Sequence, residues 1–88
     1  MIVKQRPEFK KNYKKLRANQ RPSVNEAVSA VIARPEIGEQ KKGDLAGVRV
    51  YKFTVLDQTY LWAYVVFEDY LSFWAFGLHE NFYRDLKK

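Results

Sequence analysis

The distribution of apolar and polar residues predicts a pair of N-terminal helices. Phe9, Tyr13 and Leu16 recur at spacings of four and three residues, which places them on one stripe of a helix. Pro7 precedes them at a position that suits the first turn of a helix. Apolar residues at helical spacing follow again across residues 24–32. Two amphipathic helices joined by a short polar link predict an antiparallel helical hairpin.

Two local signals predict the ends of the second helix. Glu26 follows Ser23 in the pattern of a capping box, so we expect this helix to begin at Ser23. Pro35 disfavours helical geometry at Arg34 and ends the helix there. Residues 36–47 then show no periodicity and contain three glycines, which indicates a mobile loop. Loops of this length in small domains are often functional, and a plain connector is the alternative.

From Val48 onward the pattern changes to that of three strands. The segments VRVYKFTV, TYLWAYVV and YLSFWAFG are rich in β-branched and aromatic residues, and short links between them predict antiparallel hairpins. Nearly every position of the second and third segments is apolar, so we expect both faces of the sheet to be covered. The helical hairpin can cover only one face. The other face requires the C-terminal segment, a partner, or both.

The predicted fold is α+β, in a single domain that spans residues 1–88. Residues 1–5 form a short edge strand, the helical hairpin packs on a small antiparallel sheet, and HENFYRDLKK forms a short C-terminal helix after Gly77. His79, the only histidine, lies at the joint between the last strand and this helix. A side chain held by a rigid strand next to a loop has the placement of many catalytic groups.

The charge is concentrated at one end of the chain. Of the 16 lysines and arginines, eight lie in residues 1–21 together with one acid, Glu8, and the net charge is +6. A one-sided basic field suggests a polyanion partner, such as nucleic acid or an acidic protein, and the alternative is a solvated helix face. The chain has no cysteine, so disulfides and thiolate metal sites are excluded, and a single histidine disfavours zinc.

The sequence also limits the location and the chemistry of the protein. The N-terminus lacks the apolar segment of a signal peptide, and no apolar run is long enough to span a membrane, so we expect a soluble cytoplasmic protein. There is no Gly-rich phosphate loop, no GxSxG, no HExxH and no grouping of acids for Mg²⁺ chemistry. We therefore expect neither a metal nor another cofactor.

Metal-free cleavage of RNA remains open, because RNA carries its own nucleophile in the 2′-hydroxyl group. A protein can align that hydroxyl with the phosphate, transfer two protons and stabilise the added negative charge. His79 suits the proton transfer, Lys52 and Arg49 suit the charge, and Tyr83 can orient a base. Each residue also has an ordinary interpretation. His79 can be a helix cap, Lys52 a surface side chain, Arg49 half of an ion pair and Tyr83 a packing residue.

The whole chain resembles the RelE/ParE family of toxins from bacterial type II toxin–antitoxin systems. The resemblance is carried by EFKKNYKKL, ARPEIGEQKKGDLAGVRVYKF, YLWAYVV and AFGLHENFYRDLKK, in this order and spacing. It implies a small antiparallel sheet packed on an N-terminal helical hairpin. Many members are ribosome-dependent mRNA endonucleases, called mRNA interferases, whereas ParE-like members poison DNA gyrase. Both kinds are neutralised by a cognate antitoxin whose extended C-terminal segment wraps the toxin.

The resemblance also assigns site residues one by one. Lys52 matches a lysine of the RelE-like nuclease site, and His79 falls where nuclease members place a histidine or arginine. Tyr83 lies near the C-terminal catalytic aromatic residue of several members. The chain departs from the nuclease pattern at Leu61, where these enzymes commonly have an arginine, and at Thr54, where they have a second lysine.

Two functions are therefore predicted as alternatives. In the mRNA interferase, the catalytic residues are His79, Lys52, Tyr83 and Arg49. RNA and the ribosome would be bound by basic residues of the first helix and the loop: Lys10, Lys11, Lys14, Lys15, Arg17, Lys41 and Lys42. The alternative is a ParE-like gyrase inhibitor without nuclease activity, which Leu61 and the aromatic face of the sheet favour and which His79 and Lys52 disfavour. A third possibility is a degenerate toxin that is kept for its antitoxin complex. The first two predict a cognate antitoxin as partner and no membrane.

Overall fold

The computed structural model describes residues 2–80 and 82–86, with Asp85 described by its backbone alone. Its helices and strands follow one another as β1 (Ile2–Gln5), α1 (Pro7–Lys14), α2 (Arg21–Ala33), β2 (Glu39–Gln40), β3 (Arg49–Val55), β4 (Gln58–Val66), β5 (Tyr70–Leu78) and α3 (Phe82–Leu86). This order confirms the α+β prediction. Of the predicted C-terminal helix HENFYRDLKK, residues Asn81, Lys87 and Lys88 lie outside the described residues.

The sheet has five strands in the order β1-β5-β4-β3-β2. β1 runs parallel to β5, with Ile2 opposite Tyr70 and Gln5 opposite Phe73. The other three pairings are antiparallel, so the prediction of a wholly antiparallel sheet is wrong for the first strand. The reason is the connection: a strand that reaches its neighbour through helices can return in the parallel direction, which a tight hairpin does not allow.

The helical hairpin packs on one face of the sheet, as predicted. Phe9 of α1 is the central contact, because its ring centroid lies 5.1 Å from those of Phe73 and Phe76 and 5.8 Å from that of Trp62. From α2, the buried residues on this face are Val24, Ala27 and Val31. Most of the aromatic residues therefore form a continuous core between the helices and the sheet, where their apolar surface is removed from water.

The other face of the sheet is covered in part by α3. Phe82 is buried there against Val50, Leu61 and Ala63. Tyr83 and Leu86 pack more loosely around this second, smaller core. The C-terminal segment therefore supplies part of the cover that the apolar strands required.

The second helix begins earlier than the capping box predicts. α2 starts at Arg21 after Gln20, no side chain caps its first turn, and Ser23 lies inside the helix. Pro22 explains the difference, because its fixed φ angle suits the first turn and its missing N–H leaves no donor unsatisfied. The end of α2 is as predicted from Pro35. No helix among the described residues is long and apolar enough to cross a membrane.

The segment predicted as an unstructured loop contains regular structure. Glu39 and Gln40 form β2, which pairs with Val50 and Arg49 at the edge of the sheet. Short 3₁₀ turns lie on either side of it, at Pro35–Ile37 and Gly43–Leu45. The segment is therefore attached to β3, and the side chains that follow α2 have defined places.

Candidate functional site

Four polar side chains lie on the α3 face at the β2 edge of the sheet, and three of them are in contact. The Nζ atom of Lys41 lies 2.9 Å from Oε1 of Glu39 and 5.3 Å from the ring centre of Tyr83. Glu39 pairs with Val50, so Lys52, two residues further along β3, lies on the same face and diagonal to Glu39. We call Glu39, Lys41, Lys52 and Tyr83 the Lys41 cluster.

The electrostatics of the cluster keep Lys41 and Glu39 charged. The Tyr83 side chain and then the Glu39 carboxylate raise the pKa of Lys41, against the opposing effect of burial. The Lys41 ammonium lowers the pKa of Glu39, and Lys52 contributes a smaller effect in the same direction. A lysine with a raised pKa is a weak proton donor but a dependable positive charge, so the cluster is suited to holding an anion.

A polar strip leads from the cluster towards His79. Lys52 lies opposite Leu61, and in the next row Thr54 lies opposite Thr59, whose carbonyl oxygen accepts a hydrogen bond of 3.0 Å from the His79 backbone N–H. The side chains of the lysine, both threonines and the histidine are exposed. Because neighbouring strands are about 4.8 Å apart and His79 lies one row further along than Lys52, the backbones at these two residues are separated by about 12 Å. The structure thus places His79 across β4 from Lys52, not in contact with it.

Arg49 lies on the opposite face of the sheet from Lys52, which corrects the prediction that the two residues hold one phosphate. The two positions differ by three residues along β3, and side chains alternate between faces along a strand. Nη1 of Arg49 donates hydrogen bonds to the carbonyl oxygens of Glu36, at 3.1 Å, and Gly38, at 2.8 Å. The guanidinium group therefore fastens the segment after α2.

The predicted RNA-binding residues divide into two groups. Most are exposed on or just after α1 or in the segment before β3: Lys10, Lys11, Lys14, Lys15, Arg17 and Lys42. Lys41 is different, because its side chain is only 24% exposed and belongs to the Lys41 cluster. Sequence reasoning missed Glu39 and the contact between Lys41 and Tyr83. The Glu39-x-Lys41 spacing places both side chains on one face only if the segment is a strand, and β2 was not predicted.

A groove of about 770 Å³ runs along β5 between α1 and α3, and Trp74 and Leu86 are among its lining residues. β1 pairs with β5 only as far as Phe73, so among the described residues no strand pairs with the outer edge of the remainder of β5. The Phe76 backbone N–H on this edge donates to Oδ1 of Asn12 at 3.0 Å. The rest of this edge carries backbone groups of the kind that another strand can bind.

The described residues bring no three His, Cys, Asp or Glu side chains close enough together to hold a metal ion. What the arrangement can do is stabilise negative charge at Lys41 and Lys52 beside the Tyr83 phenol, with the exposed His79 across β4 from Lys52. Cleavage of a phosphodiester requires groups of these kinds, because protons must be transferred and the added negative charge must be stabilised.

Comparison with solved structures shows similarity in fold to two bacterial proteins. A chain of the intact E. coli RelBE toxin–antitoxin complex is 16% identical, with a TM-score of 0.70 over 88% of this chain and 94% of that one. YafQ from E. coli strain BL21(DE3) is 13% identical, with a TM-score of 0.70 over 92% of this chain and 96% of its own. Among functionally curated proteins, no sequence matches.

Comparison with protein families identifies the chain more closely than these folds do. Residues 3–87 match the family described as the ParE-like toxin of type II bacterial toxin-antitoxin systems. The match covers all of the elements from β1 to α3 apart from one residue at the start. This chain therefore belongs to the ParE-like toxins of type II bacterial toxin–antitoxin systems.

Proposed function

We propose that this toxin is a metal-independent, ribosome-dependent mRNA endonuclease that blocks translation. The observation that carries the proposal is the Lys41 cluster, which places two lysines and Tyr83 on one accessible face. The exposed polar strip leads from Lys52 to His79, which adds a proton carrier across β4. The resemblance to RelE-like nucleases at Lys52 and His79 supports the same reading.

In this mechanism the RNA supplies the nucleophile and the toxin supplies charge and proton transfer. The 2′-oxygen bonds to the adjacent phosphorus and loses its proton to a base on the toxin, while the bond from phosphorus to the 5′-oxygen breaks. The leaving 5′-oxygen takes up a proton, so the products are a 2′,3′-cyclic phosphate and a 5′-hydroxyl end. Lys52 stabilises the negative charge that accumulates on the phosphoryl oxygens, and Lys41 holds another phosphate of the same RNA.

The polar strip sets the path of the RNA in this proposal. His79 transfers a proton at one end of the strip, and Tyr83 stacks on or orients a base at the Lys41 end. Because β4 separates Lys52 from His79, the reacting phosphate lies over Thr54 and Thr59, between the two side chains. The ribosome holds the mRNA in position, which compensates for the small number of contacts that the toxin provides.

Translation-coupled cleavage tests the proposal. Purified toxin is added to a cell-free translation reaction, and mRNA ends are mapped by primer extension. We expect cleavage by the parent protein, and a loss of about 100-fold or more in rate for His79→Ala and for Lys52→Met. Lys4→Met is the matched control, because it removes the same charge from β1 at the far edge of the sheet.

The outcomes of this experiment separate the enzyme from the residue assignment. Intact mRNA in the presence of active, folded toxin contradicts the nuclease proposal. Cleavage by His79→Ala at the rate of the parent protein rejects His79 as the proton carrier. An equal loss of rate for Lys4→Met and Lys52→Met shows that net charge, not the Lys41 cluster, governs the activity.

One observation favours gyrase inhibition as a second candidate. Leu61 occupies the position where RelE-like nucleases commonly have an arginine, and it is only 4% exposed because Phe82 of α3 packs over it. This part of the face is therefore apolar and closed. A supercoiling assay with purified gyrase tests the candidate: inhibited supercoiling together with intact mRNA replaces the nuclease proposal.

We further propose that a cognate antitoxin binds this chain. The supporting observations are family membership, the part of the β5 edge that has no strand partner among the described residues, and the groove beside it, which an added strand can cover. Expression of the toxin alone should arrest growth, and co-expression of the neighbouring gene should relieve the arrest. Purification of the toxin without a bound partner from co-expressing cells contradicts this pairing.

A further inference from the structure

Glu39 is the one acidic member of the Lys41 cluster, and its position is unusual for a surface carboxylate. Oε1 of Glu39 lies 2.9 Å from Nζ of Lys41, and the strand register places Lys52 on its other side. The carboxylate is thus paired with the Lys41 ammonium and is within electrostatic range of Lys52. It carries its charge where a phosphate oxygen would lie if Lys41 bound RNA.

The Glu39 carboxylate can separate from the Lys41 ammonium at little cost. The Glu39 side chain is 76% exposed, whereas the Lys41 side chain is 24% exposed, so the ammonium is held in place while the carboxylate remains in water. Exposed ion pairs of this kind contribute little to stability and exchange readily with solvent. Lys41 also keeps a second anchor, because its ammonium lies 5.3 Å from the ring centre of Tyr83.

We propose that Glu39 is an internal counter-ion that occupies an anion site formed by Lys41 and Lys52, and that an RNA phosphodiester binds there by displacing it. This inference rests on the proposed function for the identity of the ligand, but it concerns binding and not cleavage. Free toxin then binds RNA weakly, because each RNA phosphate competes with a carboxylate that is attached to the protein. RNA that the ribosome holds in place overcomes this competition through its high local concentration.

The lowered pKa of Glu39 is consistent with this arrangement, because Lys41 and, to a smaller extent, Lys52 stabilise the ionised carboxylate. The groups that face Glu39 are these two lysines and, beyond Lys41, the Tyr83 side chain. At neutral pH the counter-ion is therefore always charged, and the competition is independent of pH in that range.

Equilibrium binding of an RNA that cannot be cleaved tests the inference. The probe is a fluorescein-labelled single-stranded RNA oligonucleotide with 2′-O-methyl groups throughout, and the readout is fluorescence anisotropy with the full chain. We expect Glu39→Gln to bind about two- to fivefold more tightly than the parent protein at low salt. Because exposed charges are screened, the gain should shrink as salt is raised.

Two matched variants separate a local counter-ion from an effect of net charge. Glu26→Gln removes the same charge from α2, on the other side of the sheet, and should tighten binding less than Glu39→Gln. In a Lys41→Met background, Glu39→Gln should no longer increase affinity, because the site that the carboxylate blocks has lost its principal cation. Thermal melting of each variant confirms that it is folded.

Three results overturn the inference: equal gains for Glu39→Gln and Glu26→Gln, a full gain that persists with Lys41→Met, or no RNA binding by any variant. Failure of the proposed function looks different. If the protein is not a nuclease, mRNA stays intact during translation, while the affinity differences for the uncleavable RNA can still be measured.

Discussion

Tyr64 and Arg49 together fasten the segment that follows α2 to the sheet. The buried Tyr64 hydroxyl accepts a hydrogen bond of 2.8 Å from the Gly38 backbone N–H and donates one of 2.6 Å to the Pro35 carbonyl oxygen. Arg49 donates to the carbonyl oxygens of Glu36 and Gly38. An irregular segment needs such partners for its backbone groups, and these contacts lead the chain into β2, where the Lys41 cluster begins.

Gly38 is required by the closeness of Tyr64. A Cβ atom at Gly38 would clash with Oη of Tyr64 and would lie 2.9 Å from ring atoms Cε1 and Cζ. We expect Gly38→Ala to lower the free energy of unfolding by about 1–3 kcal/mol, since overpacking a close contact forces neighbouring atoms apart. Gly77→Ala is the control, because an added Cβ atom there meets nothing within 4 Å. Equal urea denaturation midpoints for the two variants would contradict the steric explanation.

The Tyr64 hydroxyl should make stability depend on alkaline pH. Burial raises the pKa of Tyr64, and a group with a raised folded-state pKa contributes stability fully below its unfolded-state pKa and loses it as pH rises. The parent protein should therefore lose stability above about pH 10 through this residue, and Tyr64→Phe should lack that component. Near neutral pH, Tyr64→Phe should cost about 1–3 kcal/mol, because the Gly38 N–H loses its partner.

Urea denaturation across the alkaline range measures both effects of Tyr64→Phe. Tyr70→Phe is the matched control, since the Tyr70 hydroxyl has no hydrogen bond to a described residue. A parallel pH dependence for the parent protein and Tyr64→Phe would show that other groups cause the alkaline loss.

At the level of elements, α1 is anchored to the sheet by a single buried side chain. α1 has only eight residues, and Phe9 is its one buried side chain. Phe9→Ala should lower the free energy of unfolding by about 3–5 kcal/mol, because it removes a large side chain from a packed site. Ile2→Ala, at a position that is 63% exposed, should change stability little. Thermal or urea unfolding of the two variants checks this, and similar losses would mean that α1 is not anchored by Phe9.

The main elements could be predicted because their signals are local. Pro7 and the aromatic stripe mark α1, Pro35 marks the end of α2, and apolar β-branched segments mark β3 to β5. The predicted start of α2 at Ser23 was wrong, because Pro22 and the capping signal at Ser23 indicate different first turns. In the structure the proline lies in the first turn of α2.

Features that depend on distant contacts could not be predicted. β2 has two residues and no alternation of its own, and its pairing depends on Arg49 and Tyr64 from other strands. The parallel direction of β1 is likewise a property of the chain path. For the site, Lys52, His79 and Tyr83 could be proposed one by one and their roles stay predictions, because the faces and separations of side chains require a strand register. That is why Arg49 was wrongly grouped with Lys52 and why Glu39 was missed.

At the level of the whole molecule, α1 presents its lysines on the outside of the helical layer, away from the Lys41 cluster. Lys10, Lys11 and Lys14 are exposed, and changing all three to Gln should weaken binding to ribosomal RNA. The slope of log affinity against log salt should fall in magnitude by about 2, the value expected for three phosphate contacts. The slope is measured by ribosome co-sedimentation at several salt concentrations.

The matched control for this prediction removes three charges elsewhere. Lys4, Arg21 and Arg34 are also exposed, and their change to Gln keeps the same net charge as the α1 variant. If the slope of log affinity against log salt falls by the same amount in both triple variants, the basic surface acts through net charge alone and α1 is not a docking site.

The pairing of β1 with β5 has a consequence for folding during synthesis. Ile2 is synthesised long before its partner Tyr70, because 67 residues separate the two along the chain. A nascent chain therefore cannot complete the sheet, and its first strand waits for contacts of very high sequence separation, which are slow to form. Because Tyr83 is made later still, the surface of the Lys41 cluster is assembled only after synthesis has passed this residue. A translation product that stops before Tyr83 thus lacks this surface.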